Sequence, residues 1–280
     1  MDLADALRFA AEHEAELHRA AAWLMIATGV CVIIVEVGLG ARAPYGRHAA
    51  LPAAKLYGPT IHPKLAWIFQ ESWSFLVPFA MLLANSMAWV QLDPRCIASP
   101  ANCALLAMYM GHYFYRAFFF PLRMRGGKPM PIGVCLLAAV FCAYNGYLQG
   151  RAWTHLVPRE TSSSSDVALL AIGGGLWALG LAINLDADAV LRNLRKPGES
   201  GYKIPRGGAF ELVSGANYFG EIVEWSGYAV ASGFALPAVA FAFFTFANTA
   251  PRAQHHHQWY KEKFGSDYPR DRKAVIPFLW

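Results

Sequence analysis

Three polar residues, Asn217, Glu221 and Glu224, stand at i, i+4 and i+7 inside one of the most apolar stretches of this 280-residue chain. That spacing places them on one face of one helix. A second stripe runs Asn184, Asp188, Arg192, Arg195, in the order amide, acid, base, base. Such a stripe can read a polar ligand end to end, with phosphates at the arginine end. It equally describes a solvated interfacial helix whose i,i+4 pairs add about 0.3 kcal/mol each. Glu71 sits in an apolar run from Trp67 through Pro78, Tyr113 and Arg116 in another, and Asn248 and Arg252 near the end of a third. The segment from Arg195 to Pro205 is basic and full of turn residues, and suits either a loop folding over an anion or a plain cytoplasmic loop. His255, His256 and His257 are consecutive. Neighbouring helical residues point about 100° apart, so the three cannot chelate one ion, and no metal is expected. One of them could donate to a phosphate.

The elements that must position these groups are membrane helices. Of the chain, 56% is apolar and only 15% charged, and the apolar residues come in blocks rather than stripes. About 20 apolar residues make a helix long enough to cross a bilayer. Seven such spans are predicted, at roughly 20–41, 66–91, 102–122, 130–150, 166–186, 209–232 and 235–254. Gly233 and Pro237 divide the last two. The final helix is expected to continue as a polar extension through His257 and Tyr260. Asp166 after the Thr161–Ser165 run marks a helix N-cap. Gly173–Gly175 read as a close helix contact. No cleavable signal peptide is visible, since the first 20 residues carry five acids and no apolar core. Of the five cysteines, Cys31, Cys135 and Cys142 read as small hydrophobes. Cys96 and Cys103 flank a short loop that would allow pairing. There is no CxxC metal pattern, no repeat and no separate soluble domain.

With seven spans, 18 Lys and Arg fall on the side of the C-terminal tail and five on the side of the N-terminus, with Arg116 inside a span. The positive-inside rule then puts the N-terminus outside and the C-terminus in the cytosol. Glu71, Tyr113, Arg116, Asn184, Asp188, Asn217, Glu221, Glu224, Asn248 and Arg252 all reach the cytoplasmic layer of this all-α, single-domain bundle, and Glu36 lies near the same level. A charge at the bilayer centre costs about 2.5–3.5 kcal/mol on insertion scales. Structural ion pairs, such as Arg116 with Glu71 or Glu224, explain any one of these residues more readily than the whole layer.

The strings Ala66-Trp67-Ile68-Phe69-Gln70-Glu71, His112-Tyr113-Phe114-Tyr115-Arg116, Asn184 through Asp188, Arg192 through Pro205, Ser214 through Trp225 and His255 through Pro277 closely resemble the steroid 5α-reductase family, most of all its type 2 members. The resemblance runs in order over nearly the whole chain from about residue 45. It implies a seven-helix oxidoreductase that uses NADPH to reduce the carbon–carbon double bond of a 3-keto-4-ene steroid. Carried over by position, Glu71 and Tyr113 hold the substrate carbonyl oxygen. Asn217 and Glu221 hold the nicotinamide end, and Asn184, Asp188, Arg195, Tyr202, Lys203, His256 and Tyr260 the ribose, phosphate and adenine parts. Arg116, Arg192 and Arg252 join the expected cofactor set, and Trp67 and Trp225 line the steroid pocket. Three positions depart from the family's pattern: Lys203 and Leu137 replace arginines and Met130 a tyrosine. Lysine is a point charge where arginine grips a phosphate bidentately.

The chemistry agrees with these residue types. Enone reduction needs hydride at the β-carbon and stabilisation of the enolate oxygen, which a tyrosine hydroxyl and a protonated carboxylic acid in a dry site can supply. An apolar substrate reaches such a site from the bilayer and a charged cofactor from the cytosol. No obligate protein partner and no nucleic-acid partner are expected. Other readings left open are a reductase of another enone or enoyl lipid, a membrane methyltransferase of the isoprenylcysteine or phospholipid type, and a transporter.

Overall fold

The computed structural model describes residues 2–42, 52–196, 198–199 and 201–280. Met1, residues 43–51 between the first two predicted spans, and Pro197 and Ser200 of the basic segment lie outside that set. A short α1 (Leu3–Glu12) leads into α2 (Glu14–Ile33), which continues as a π-helical turn, Ile34–Gly38. After β1 (Thr60–Ile61) come α3 (Pro63–Ser86), α4 (Pro94–Ile97) and α5 (Pro100–Phe114). A second π-turn, Tyr115–Phe119, joins α5 to α6 (Phe120–Arg123). Then β2 (Met130–Pro131) pairs antiparallel with β1, in the register Thr60 opposite Pro131. Helix α7 (Ile132–Arg151) ends in a third π-turn, Ala152–Leu156. The chain closes with α8 (Ser164–Asn193), α9 (Ala216–Ala231) and α10 (Leu236–Phe264).

All seven predicted apolar blocks coincide with helices. Four of them are long and apolar enough to cross a membrane: Glu14–Gly38, Pro63–Ser86, Ile132–Leu156 and Ser164–Asn193. Their outer faces are apolar, with Leu24, Val140 and Ile172 each at least 60% exposed. Apolar surface on that scale is what a lipid-facing wall presents and what a soluble surface avoids. The core lies between α2, α5, α7, α9 and α10, around Met25, Tyr109, Leu148, Trp153, Trp225, Tyr228 and Phe241.

Local chemistry sets the helix ends. Pro63, Pro94 and Pro100 each open a helix, where the missing N–H costs nothing. Ser163 caps α8 in a capping box with Asp166. Between α9 and α10 the backbone turns left-handed at Gly233 (φ 68°), and α10 begins with Pro237 in its first turn, where the sequence places the break. Helix α10 then runs on past Tyr260 as predicted.

The predicted sixth span begins too early. Residues 208–211 form a 3₁₀ turn, and α9 starts only at Ala216. The reason is tertiary. The C-terminal tail folds back beside this segment, with Val213 bridged to Lys273 and the Ser214 and Gly215 amides donating to Lys273 and Ala274 carbonyls. Cys96 and Cys103 are both free.

Candidate active site

The polar site depends on an unusually close approach of α8 and α9. A Cβ at Gly220 would stand 2.6 Å from the Asn184 amide nitrogen, and one at Gly180 would collide with the backbone of Glu224. Gly173, from the predicted glycine contact, meets Ala231 in the same way, whereas nothing lies within 4 Å of a Cβ at Gly174 or Gly175. With the backbones this near, the Asn184 amide donates to the Asn217 carbonyl (3.0 Å) and to Glu221 Oε1 (3.4 Å). Arg116, raised on the π-turn after α5, bridges both helices. It donates to Asp188 Oδ2 (2.7 Å) and Glu221 Oε1 (3.2 Å). Its guanidinium also lies 5.0 Å from the Trp67 ring centroid and 4.3 Å from that of Phe120. π-Turns inside α-helices recur at functional sites because they re-aim a side chain. The partners of Arg116 are therefore Asp188 and Glu221 rather than Glu71 or Glu224.

Glu71 has softer company. Gln70 Nε2 donates to its Oε1 (3.2 Å), and the Cys142 thiol lies 3.8 Å from its Oε2. Glu224 is wholly buried and bonds His112 Nδ1 at 2.7 Å. Tyr113, 6% exposed, lies against Trp225, with ring centroids 6.0 Å apart. Trp225 in turn packs on Phe241 at 4.4 Å.

Most of these groups, Glu224 and Asn184 excepted, open onto one cavity of about 860 Å³, within the roughly 300–1,000 Å³ usual for ligand pockets. Glu71, Tyr113, Arg116, Asp188, Arg192, Arg195, Asn217, Glu221 and Arg252 line it, as do Trp67 and Trp225. An apolar part of the wall is built by Val32, Val134, Leu137, Ala138, Phe141 and Phe244, with Met130 nearby from β2. Arg125, Asn248 and Thr249 add polar groups, and His112 and Gln70 also face it.

Five predicted site residues lie outside this lining. Asn184 is just behind it, bonded to two wall residues. His256 packs on Tyr218, which lines the cavity, at 5.7 Å between ring centroids. Tyr202 meets Trp259 edge-on at 4.6 Å, and Tyr260 stacks on Tyr268 at 5.5 Å. Lys203 bonds Glu199 at 2.5 Å on the surface. Of these, Tyr202 joins the basic segment to the extension of α10, and Tyr260 joins that extension to the C-terminal tail. His112 escaped the sequence reading as a site residue. Its signal is its isolation, as a histidine in an apolar helix one position before Tyr113.

Close beside the cavity end, Ser214 Oγ lies 2.6 Å from both His257 Nδ1 and Tyr268 OH. His257 is beyond the apolar part of α10. Burial, with Lys261, Arg272 and Lys273 nearby, pushes its pKa down to about 4. Among the described residues no group of His, Cys, Asp and Glu could hold a metal ion.

Comparison with known proteins shows the family. The family profile described as 3-oxo-5-alpha-steroid 4-dehydrogenase matches residues 128–280. The type 1 enzyme of Homo sapiens is 46% identical over 95% of this chain and 97% of its own length. That of Bos taurus is 48% identical over 93% and 96%. The type 2 enzyme of Rattus norvegicus is 42% identical over 86% and 90%. Among these relatives the higher identities fall on the type 1 enzymes, although the sequence strings suggested type 2. On matches of this extent the chain belongs to the 3-oxo-5-alpha-steroid 4-dehydrogenase family, oxidoreductases that act on a CH–CH pair.

Proposed function

We infer that this chain, as one membrane-embedded domain, uses NADPH to reduce the 4,5 double bond of a 3-keto-4-ene steroid. The observation that carries this reading is the composition of a single cavity. Its wall combines aliphatic and aromatic side chains with Arg125, Arg192, Arg195 and Arg252. Family membership supports a nicotinamide-dependent steroid reduction.

The donor set fits a phosphorylated dinucleotide. Arg192 and Arg195 suit phosphate oxygens by charge-assisted hydrogen bonds, and Arg252 is steadied by Asn248 Oδ1 at 2.7 Å. Asn217 and Glu221 offer amide and carboxylate partners for a carboxamide. Asn184 keeps those two in place from behind, and Arg116 does so from the side. Bound NADPH would supply the hydride. Tyr202, Lys203, His256 and Tyr260 would hold the adenine end once the 198–205 segment closes on it.

Glu71 and Tyr113 would then hold the ketone oxygen. As the β-carbon is reduced, negative charge grows on that oxygen, and two donors prearranged in a water-poor wall stabilise it without reorganisation. Gln70 keeps Oε1 of Glu71 occupied. That leaves Oε2, beside the weakly polar Cys142 thiol, as the oxygen to carry a proton. Trp225 and Phe241 fix the Tyr113 ring. Trp67 and Trp225 would flank the steroid.

We place seven crossings with the N-terminus outside, on the strength of the basic asymmetry. A cysteine at Ser163 should react with an impermeant thiol reagent from outside and one at Ser266 should not; the opposite pattern would refute the orientation. The decisive assay is NADPH and NADH consumption in detergent with 3-keto-4-ene steroids, other enones and enoyl thioesters. Preference for NADPH and a 5α-reduced steroid is expected. Turnover of enoyl thioesters alone would overturn the substrate, and equal use of NADH would overturn the cofactor.

A further inference from the structure

Reducing a conjugated double bond takes two hydrogens, and the residues described so far account for the fate of one. Resting on the function proposed above, hydride brings an electron pair to the β-carbon, and Glu71 and Tyr113 hold the resulting enolate. The α-carbon still needs a proton. It lies two bonds from the oxygen that those residues bind, so its donor must stand beside them.

We propose that His112 is that donor and that Glu224 keeps it charged and oriented. His112 lines the cavity and is adjacent to Tyr113 on α5, with ring centroids 5.0 Å apart. Its other ring neighbour is Trp225, at 4.7 Å, so the imidazole is wedged in one orientation. Nδ1 is committed to Glu224 Oε1 at 2.7 Å, and among the described residues Nε2 has no protein hydrogen-bond partner. Glu224 is 0% exposed, does not line the cavity, and has its second oxygen unpaired. A carboxylate hydrogen-bonded to Nδ1 fixes how the ring is turned and leaves Nε2 as the nitrogen facing the cavity side. Arg116 cannot play the part of Glu224's counterion, being already bonded to Asp188 and Glu221. Purely structural histidines on apolar helices do not require a dedicated, wholly buried acid behind them.

The step balances. The Nε2–H bond breaks and its electrons stay on the imidazole. The enolate pair forms the new C–H bond at the α-carbon, and the carbonyl re-forms. The neutral His112 regains its proton from water after product leaves. His112 is in this scheme a catalytic residue and Glu224 a positioning residue.

The test separates the two hydrogens. His112→Asn keeps an amide donor near Glu224 but has no acid. It should bind NADPH as the wild type does and lower turnover by 30-fold or more. Its isotope effect with 4-deuterated NADPH should shrink toward one while its solvent isotope effect grows, because protonation has become limiting. Glu224→Gln should give a weaker form of the same pattern. Unchanged isotope effects in His112→Asn, with only KM or melting temperature altered, would overturn the proposal. A measurement on wild-type enzyme guards against a variant that does not fold. In D₂O the deuterium at the α-carbon should enter one face only, and entry on both faces would also overturn it. Absence of any steroid turnover by wild type would instead strike the proposed function.

Discussion

The two ends of the bundle treat charge differently. Near the start of α2, Arg151 donates to both oxygens of Glu14 at 2.6 and 2.5 Å, and Arg159 pairs with Asp166 at 2.9 Å. On the same side Asp93 pairs with Arg95 at 2.7 Å, and the Asn102 side chain is spent on the backbone at Trp153, Val157 and Arg159. Each of these three acids has its own base. At the cavity, one arginine serves two carboxylates and Glu71 has only an amide and a thiol. Arg125 and Arg192 form no ion pair among the described residues. Where charges close on one another they fasten helices. Where Glu71, Arg125 and Arg192 share a wall with no ion pair of their own among the described residues, the missing partners are those of a ligand.

The largest effect expected from this contrast is at Glu71. Glu71→Gln should lower turnover by roughly 10²–10³, the usual loss for one oxyanion donor, with melting temperature and NADPH affinity near wild type. Tyr113→Phe should act alike, and the double variant should lose less than the product of the two, since both serve one oxygen. Normal turnover in Glu71→Gln would remove Glu71 from the reaction. Glu14→Gln should do the reverse. It should destabilise by about 1.5–3 kcal/mol, as expected for charge-assisted hydrogen bonds, with kcat and KM unchanged. A kinetic defect there would erase the distinction between the ends.

Arg195→Ala should raise the KM for NADPH tenfold or more, corresponding to about 1.5–3 kcal/mol for one charge-assisted contact. Lys203→Ala should shift it less, because Lys203 already has Glu199. Equal effects would show that the 198–205 segment closes more tightly than its resting position suggests. The smallest effect concerns pH. His257 titrates near 4 when folded and near 6.5 when unfolded. The unfolded chain therefore binds more protons between those values. The stabilisation is complete above about pH 6.5 and is lost as pH falls toward 4. Melting scans of wild type and His257→Gln should diverge in that window, and parallel curves would show that the tail contact carries no titrating load.

Much of this was legible because it was local. The Gly233 break, the capped start of α8 at the end of the 161–166 run and the polar extension of α10 follow from residues within a turn or two of each feature, although the cap itself is Ser163 and Asp166 its partner in the first turn. The i, i+4, i+7 face of α9 was correct in its inward direction. Partner choice was not legible. Arg116 selects Asp188 and Glu221 because Gly180 and Gly220 draw α8 onto α9, a contact between segments some 40 residues apart. The late start of α9 depends on Lys273, about 60 residues downstream. Likewise nothing along the chain separates Tyr202, Lys203 and Tyr260 from the cavity. Their distance from it is a property of how one loop rests on a helix extension.

Helix α10 is unbroken from Leu236 to Phe264. Its middle turns put Thr245, Asn248 and Arg252 in the cavity wall, and its last turns carry the ring stack of Tyr260 with the C-terminal tail. A rod with one end in the reaction chamber and the other in the tail leaves no slack between them. A displacement of the Tyr260 stack would be carried along the same helix to the cavity wall.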